Sequence, residues 1–202
     1  MAFLCDQEGI APKIRAVICW GVIPGDSILT FSGVRFSPFD PYPNGIRIED
    51  IAHSLAHQCR FGGHTREFYA VAQHSVLVSQ LCGPEDALWG LLHDASEAYL
   101  GDVVRPLKQR PEFEPYRSAE RQLQQLIAVR FGLAPDQPDS VTKADDLMLM
   151  IEYRDLMTPS DPPYIAGPPR GAAIMISELW MPASAERKFL TRFRQLCPAR
   201  YW

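Results

Sequence analysis

The sequence lacks the features that would mark a spanning, secreted or polymer-binding protein. No apolar run approaches the roughly 20 residues that a transmembrane helix requires, and even "GAAIMISELWM" is broken by polar positions. The opening "MAFLCDQEG" has no basic stretch leading into an apolar core, the pattern of a secretory signal. Cysteine is sparse and scattered at Cys5, Cys19, Cys59, Cys82 and Cys197, with no CxxC pair for zinc or redox chemistry. Positive charge is also short: 20 basic against 24 acidic residues leave a net charge of -4. That balance excludes a broad electrostatic footprint for a nucleic acid polymer, while leaving room for a local basic pocket around one nucleotide. A soluble, cytoplasmic protein is expected, acting in the host cytoplasm if phage-encoded, with no membrane partner. The 202 residues suit a single domain spanning 1–202.

Proline, by contrast, is abundant, and its clusters at 38–43, 135–138 and 159–169 mark loops. Between them the chain predicts an all-α bundle with a small N-terminal β-hairpin at about 27–38, turning at Ser32-Gly33. "IRIEDIAHSLAHQCRF" repeats apolar residues at helical spacing and predicts a helix over 49–59. A second helix follows in "TREFYAVAQHSVLVSQLCG", with Thr65 as its cap and Gly83 as its stop. A third runs from Pro84 to Gly101, and the tight turn between the two makes them antiparallel neighbours. Further helices are expected at 115–130, 140–156 and 183–196, giving a motif-bearing core over about 48–157.

Histidine is as scarce as cysteine, and His53, His57, His64, His74 and His93 all fall in the first half of the chain. His93-Asp94 ends an otherwise apolar stretch, where an uncompensated charge would be costly. A metal ion would supply the compensation. His74 approaches from the preceding helix, and Asp145 or Asp146 from the later one. Two imidazoles with two carboxylates suit one divalent transition metal per chain, Co, Mn, Ni, Zn or Fe, and leave positions open for water and a substrate oxygen. The competing reading makes His93-Asp94 a helix end and Asp145-Asp146 a solvated turn. His53 and His57 stand four apart without paired carboxylates beside them, and a structural role is expected there.

"VAQHS", "LLHDASEAYLGD" and "KADDL", in that order, resemble the HD-domain superfamily of metal-dependent phosphohydrolases. The resemblance implies the ligand set His74, His93, Asp94 and Asp145, with "KADDL" favouring Asp145 over Asp146. It is closer to bacterial 5'-deoxynucleotidases and phage dATP triphosphohydrolases, in which an Arg-aromatic pair precedes the first metal histidine. Here "CRFGGH" supplies Arg60-Phe61, with Phe where the bacterial nucleotidases carry Trp.

The resemblance also implies roles for Glu97, four residues beyond His93, and for Asp102 after Gly101. Both are expected to be catalytic, Glu97 handling a proton and Asp102 positioning water or the sugar. Arg60, Phe61, His64 and Lys108 are the expected substrate contacts, the guanidinium gripping phosphate. The implied reaction is hydrolysis of deoxynucleoside 5'-monophosphates to nucleoside and phosphate. The alternatives are a triphosphohydrolase acting on a deoxynucleoside triphosphate and a catalytically silent nucleotide-sensing module. A homodimer or larger homo-oligomer is expected by the same resemblance.

Overall fold

The computed structural model describes residues 25–169 and 174–201; Cys5, Cys19 and the whole opening segment lie outside the described residues. The fold is the expected helical bundle behind a two-stranded antiparallel hairpin. Strands β1 (Ile28–Leu29) and β2 (Arg35–Phe36) pair Ile28 with Phe36 and Leu29 with Arg35. The turn closes through the Gly33 N–H donating to the Thr30 carbonyl, with Gly33 at a φ of 80° that a side chain would resist. The Asp50 carboxylate accepts from the backbone N–H and the hydroxyl of Ser32, at 2.6 and 2.8 Å, and so docks the hairpin on the first helix.

That helix, α1 (Ile48–His57), turns Ile48, Ile51, Ala52, Leu55 and Ala56 inward, as its spacing predicts. It packs on α8 (Pro182–Leu196), whose Ala185, Phe189 and Phe193 complete the main core with Leu91, Leu92, Leu123 and Ile127. Helices α6 (Glu114–Arg130) and α7 (Asp139–Leu156) lie within a residue of their expected limits. A second, smaller core of Val78, Met148 and Ile151 holds α7 against α2 (Val71–Leu81). Among the described residues no helix is long and apolar enough to cross a membrane.

Two expectations change. Helix α2 starts at Val71, and Thr65 turns its hydroxyl to the Glu67 carbonyl instead of capping it. The cause is a non-local ladder: Arg60 N–H donates to the Tyr69 carbonyl and Val71 N–H to the Gln58 carbonyl, while Cys59 and Ala70 form an antiparallel bridge. Residues 60–69 become a closed loop whose base is hydrogen-bonded like a sheet, and helical propensity at 65–70 yields to that pairing.

The helix expected over 84–101 is divided. It forms α3 (Ala87–Leu92) and α4 (Glu97–Leu100), joined by tight turns in which Ala95, Glu97 and Ala98 each bond back three residues. The break lies on His93-Asp94. Gln124 of α6 satisfies the backbone groups it exposes, its amide donating to the Leu92 carbonyl at 2.6 Å and accepting from the Ser96 N–H at 3.1 Å. A short helix α5 (Arg105–Lys108) follows.

Candidate metal centre

Gly90 sets the distance between α2 and α3. A Cβ there would lie 2.7 Å from Cys82 Sγ and 3.1 Å from the Ser79 Cα, so only glycine lets the two helices approach this closely. The Gly90 carbonyl also fixes His93, accepting from its Nδ1 at 2.9 Å. Since a carbonyl only accepts, Nδ1 carries the proton, and the neutral ring presents a lone pair at Nε2. His74 is fixed by the same logic: its Nδ1 lies 2.6 Å from Oε1 of Glu152, a fully buried carboxylate on α7.

Both free nitrogens then point at one spot. His74 Nε2 stands 3.2 Å from His93 Nε2, 3.2 Å from Asp145 Oδ1 and 3.5 Å from Asp94 Oδ2. His93 Nε2 stands 3.3 Å from Asp94 Oδ2 and 3.7 Å from Asp145 Oδ1. Donors bound about 2.0–2.1 Å from a single ion lie about 2.8–3.4 Å from one another between octahedral and tetrahedral geometry. His74, His93 and Asp145 present donor atoms close enough to share one ion, with Asp94 Oδ2 beside the two imidazoles; lone pairs this close repel one another unless a cation or protons sit between them, and the cluster is able to chelate a metal.

The imidazoles form the floor, His74 fully buried and His93 nearly so. Asp94 and Asp145 are partly open and form the rim, which leaves the solvent side for further ligands. Asp146, the competitor of Asp145, is exposed on the other side of α7.

The protonation energetics follow from this geometry. Burial favours the neutral form of His93, but the Asp94 charge and the hydrogen bonds to Asp145 and Asp94 outweigh it and raise its pKa well above the ordinary value. Burial and Arg60 oppose the charge on His74, and Glu152 and Asp145 again win. The Asp94 and Asp145 carboxyls, despite burial, are driven far below the usual range, chiefly by His93 for Asp94 and by both imidazoles for Asp145. In the absence of a metal, protons take its place.

Glu152 has no counterpart among the residues singled out in the sequence. It accepts from His74 with one oxygen and from Arg60 Nη2 with the other, at 3.2 Å. The signal that could have found it is its position seven residues beyond Asp145, two turns along the same face of α7. Arg60 reaches Asp94 as well, with Nη1 3.3 Å from Oδ2, and its Nε is buried without a partner. Burial opposes its charge, and Glu152 and Asp94 more than compensate.

Of the other expected site residues, Arg60 reaches Asp94 directly and Glu97 lies near enough to feel the Asp94 charge. Glu97 is buried; three-residue turns eclipse positions three apart, so it aligns with Asp94 instead of standing above His93. Its Oε1 accepts from Lys108 Nζ at 3.0 Å, and its Oε2 is buried without a partner. Burial first, and then the Asp94 charge, hold the Glu97 carboxyl well above the usual carboxylate range. Lys108 is shared with Glu120 at 2.6 Å.

Asp102 is tied through its backbone N–H to the Gln58 side chain at 2.9 Å, and burial also raises its carboxyl pKa. It does not cap α5. Phe61 adopts a left-handed backbone, φ 57° and ψ 28°, unusual for an aromatic residue. Its ring meets the Tyr153 ring edge-on at 5.4 Å and lies 5.3 Å from the Arg60 guanidinium carbon. His64 is exposed at the tip of the same loop.

Comparison with known proteins places this arrangement in a lineage. The chain is 39% identical over 175 residues to the uncharacterized Escherichia coli (strain K12) protein YfdR, covering 86% of this chain and 97% of YfdR. It belongs to the YfdR family. An uncharacterized Rhodobacter capsulatus protein, RCAP_rcc00048, is also 39% identical, over 122 residues that cover 56% of this chain and 62% of that protein. No family model matches the chain. In this member of the YfdR family, a buried His/Asp cluster able to chelate a metal is what the geometry establishes, and it is consistent with metal-dependent hydrolysis.

Proposed function

We propose that the protein is an HD-domain phosphohydrolase that cleaves deoxynucleoside 5'-monophosphates to nucleoside and phosphate. The observation that carries the reading is the convergence of His74 Nε2, His93 Nε2, Asp94 Oδ2 and Asp145 Oδ1 from three helical segments in the H...HD...D order. A divalent ion held by these four atoms would supply Lewis acidity toward a phosphoryl oxygen and a lowered pKa for water.

The chain supplies the rest. Glu97 has one oxygen anchored on Lys108 and one unpartnered, and its raised pKa suits it to exchange a proton, either with water or with the leaving 5'-oxygen. Arg60 braces Asp94 from behind and has an unused Nε for a phosphoryl oxygen. Phe61 presents an aromatic face for the sugar or base, and Asp102 lies beside Glu97 for the 3'-hydroxyl. Monophosphate is favoured over triphosphate because both cations at the centre are already shared between pairs of acids, Arg60 by Asp94 and Glu152, Lys108 by Glu97 and Glu120. Two further phosphates would need countercharges that these side chains do not provide.

The test incubates metal-stripped protein with single divalent ions and a panel of nucleoside mono-, di- and triphosphates, resolving phosphate, pyrophosphate and triphosphate. Release of phosphate from deoxynucleoside monophosphates is expected. Triphosphate release would replace the substrate assignment, and nucleotide binding without turnover under any ion would replace the enzyme by a sensor. Glu97→Gln should keep its metal and lose turnover by about 10²–10⁴-fold, the usual value of acid–base catalysis.

A further inference from the structure

A second group of metal-ligating side chains lies apart from this centre, on the outer side of α1. His53 and His57 stand one turn apart with ring centroids 4.2 Å from each other, and α8 brings Glu186 to them, its Oε2 3.0 Å from His53 Nδ1. One donor atom from each of the three falls within 4.8 Å of the others. The sequence shows the histidine pair but not its carboxylate, which arrives from 133 positions away.

From these residues we propose that His53, His57 and Glu186 form a second divalent-metal site that bridges α1 and α8. Three observations support it. His57 Nδ1 lies 2.7 Å from the His53 carbonyl, to which it can only donate, so the neutral ring offers its Nε2 lone pair. The His53 ring is held in place by Phe31 of the hairpin turn, stacked at 3.7 Å with the planes 9° apart, so little side-chain freedom remains to be lost on binding. The His53–Glu186 separation of 3.0 Å matches the spacing of adjacent ligands on one ion, about 2.8–3.4 Å.

Two imidazoles and one carboxylate select Zn, Co, Ni or Cu over Mg or Ca, which prefer all-oxygen shells. His57 is exposed, which leaves the remaining coordination positions to solvent. Bridging α1 to α8 also anchors the hairpin, because Phe31 stacks on the His53 ring. The site is more exposed than the centre formed by His74, His93 and Asp145, so it binds its ion more weakly. It does not depend on the hydrolase reading.

The experiment titrates chelator-stripped full-length protein with Co²⁺ and with Zn²⁺, measuring bound metal per chain and the Co²⁺ visible spectrum. Two ions per chain are expected for the wild type, and one for His57→Gln and for Glu186→Gln. His74→Gln should retain the weaker ion. His57 is exposed, so its variant should fold, which circular dichroism checks. A single ion in the wild type that persists unchanged in both His57→Gln and Glu186→Gln overturns the second site and leaves the first intact. Loss of all high-affinity metal in His74→Gln with two ions in the wild type upholds both.

Discussion

Glu152 offers the sharpest test of how the centre is built, because it is fully buried and acts on the donors only through His74 and Arg60. Its Oε1 accepts from His74 Nδ1 and its Oε2 from the Arg60 guanidinium, with His74 and Glu152 fully buried and Arg60 partly so. Glu152→Gln keeps the shape and can still accept one hydrogen bond, but removes the charge that makes His74 a stronger donor at Nε2. Loss of a carboxylate behind a metal-bound imidazole weakens metal binding by about 10–100-fold, or about 1.4–2.7 kcal/mol. A second cost falls on folding, since Arg60 keeps Asp94 but loses its other partner; breaking a buried pair costs about 3–5 kcal/mol, here toward the low end because one partner remains.

The two effects separate by assay. Competition with a chromophoric chelator gives the metal affinity of folded protein, and urea unfolding with excess chelator gives the stability of the metal-free form. Affinity within twofold of wild type, in a variant that is otherwise destabilised, would show that His74 is not a ligand or that Glu152 acts only as a structural ion-pair partner. Either result refutes the reasoning.

Other perturbations test neighbouring links. Gly90→Ala should push α3 away from α2, since its new methyl would meet the Ser79 backbone, and cost about 1–3 kcal/mol in unfolding experiments; metal affinity should fall with it, and unchanged values would mean that the helices are not in close contact. Metal affinity should decline as pH falls into the range of the raised His74 and His93 pKa values, starting above about 6.5. In the metal-free protein these raised values give stability that is complete below about pH 6.5 and lost as pH rises through the folded values. The melting temperature without metal should drop across that window and recover on adding metal; a rise would invert the assignment. Lys108→Met should move the Glu97-dependent limb of the pH–rate profile upward, because the ammonium lowers the Glu97 pKa; a higher KM with an unmoved profile would make Lys108 a phosphate contact instead.

The helices that could be delimited from sequence are those whose burial is one-sided and local. The apolar spacing of α6, α7 and α8 predicts limits within a residue of those observed, because each buries a helically spaced apolar stripe against its neighbours. The interruptions were not legible. The start of α2 is set by pairing between Gln58–Arg60 and Tyr69–Val71, and the break after Leu92 is stabilised by Gln124, 32 positions away. The four donors of the centre were visible because family resemblance orders them. Glu152 and Glu186 were not, because an acidic residue on an amphipathic helix looks like solvated surface until a partner from another helix buries or meets it.

The same point accounts for the distribution of charge. Arg60, Lys108 and His93 each lie between two acidic groups instead of pairing with one, and His74 lies among three, Asp94, Asp145 and Glu152. A cation shared in this way stays compensated if one partner is drawn to an incoming ligand, so neither burial nor binding strands a bare charge. Pairing one to one would be as neutral overall but would cost a full broken ion pair each time substrate entered or left. Shared pairing would therefore suit a centre that exchanges ligands, and it adds Glu152, which backs His74 and Arg60, and Glu120, which holds Lys108, to the residues on which such exchange would depend.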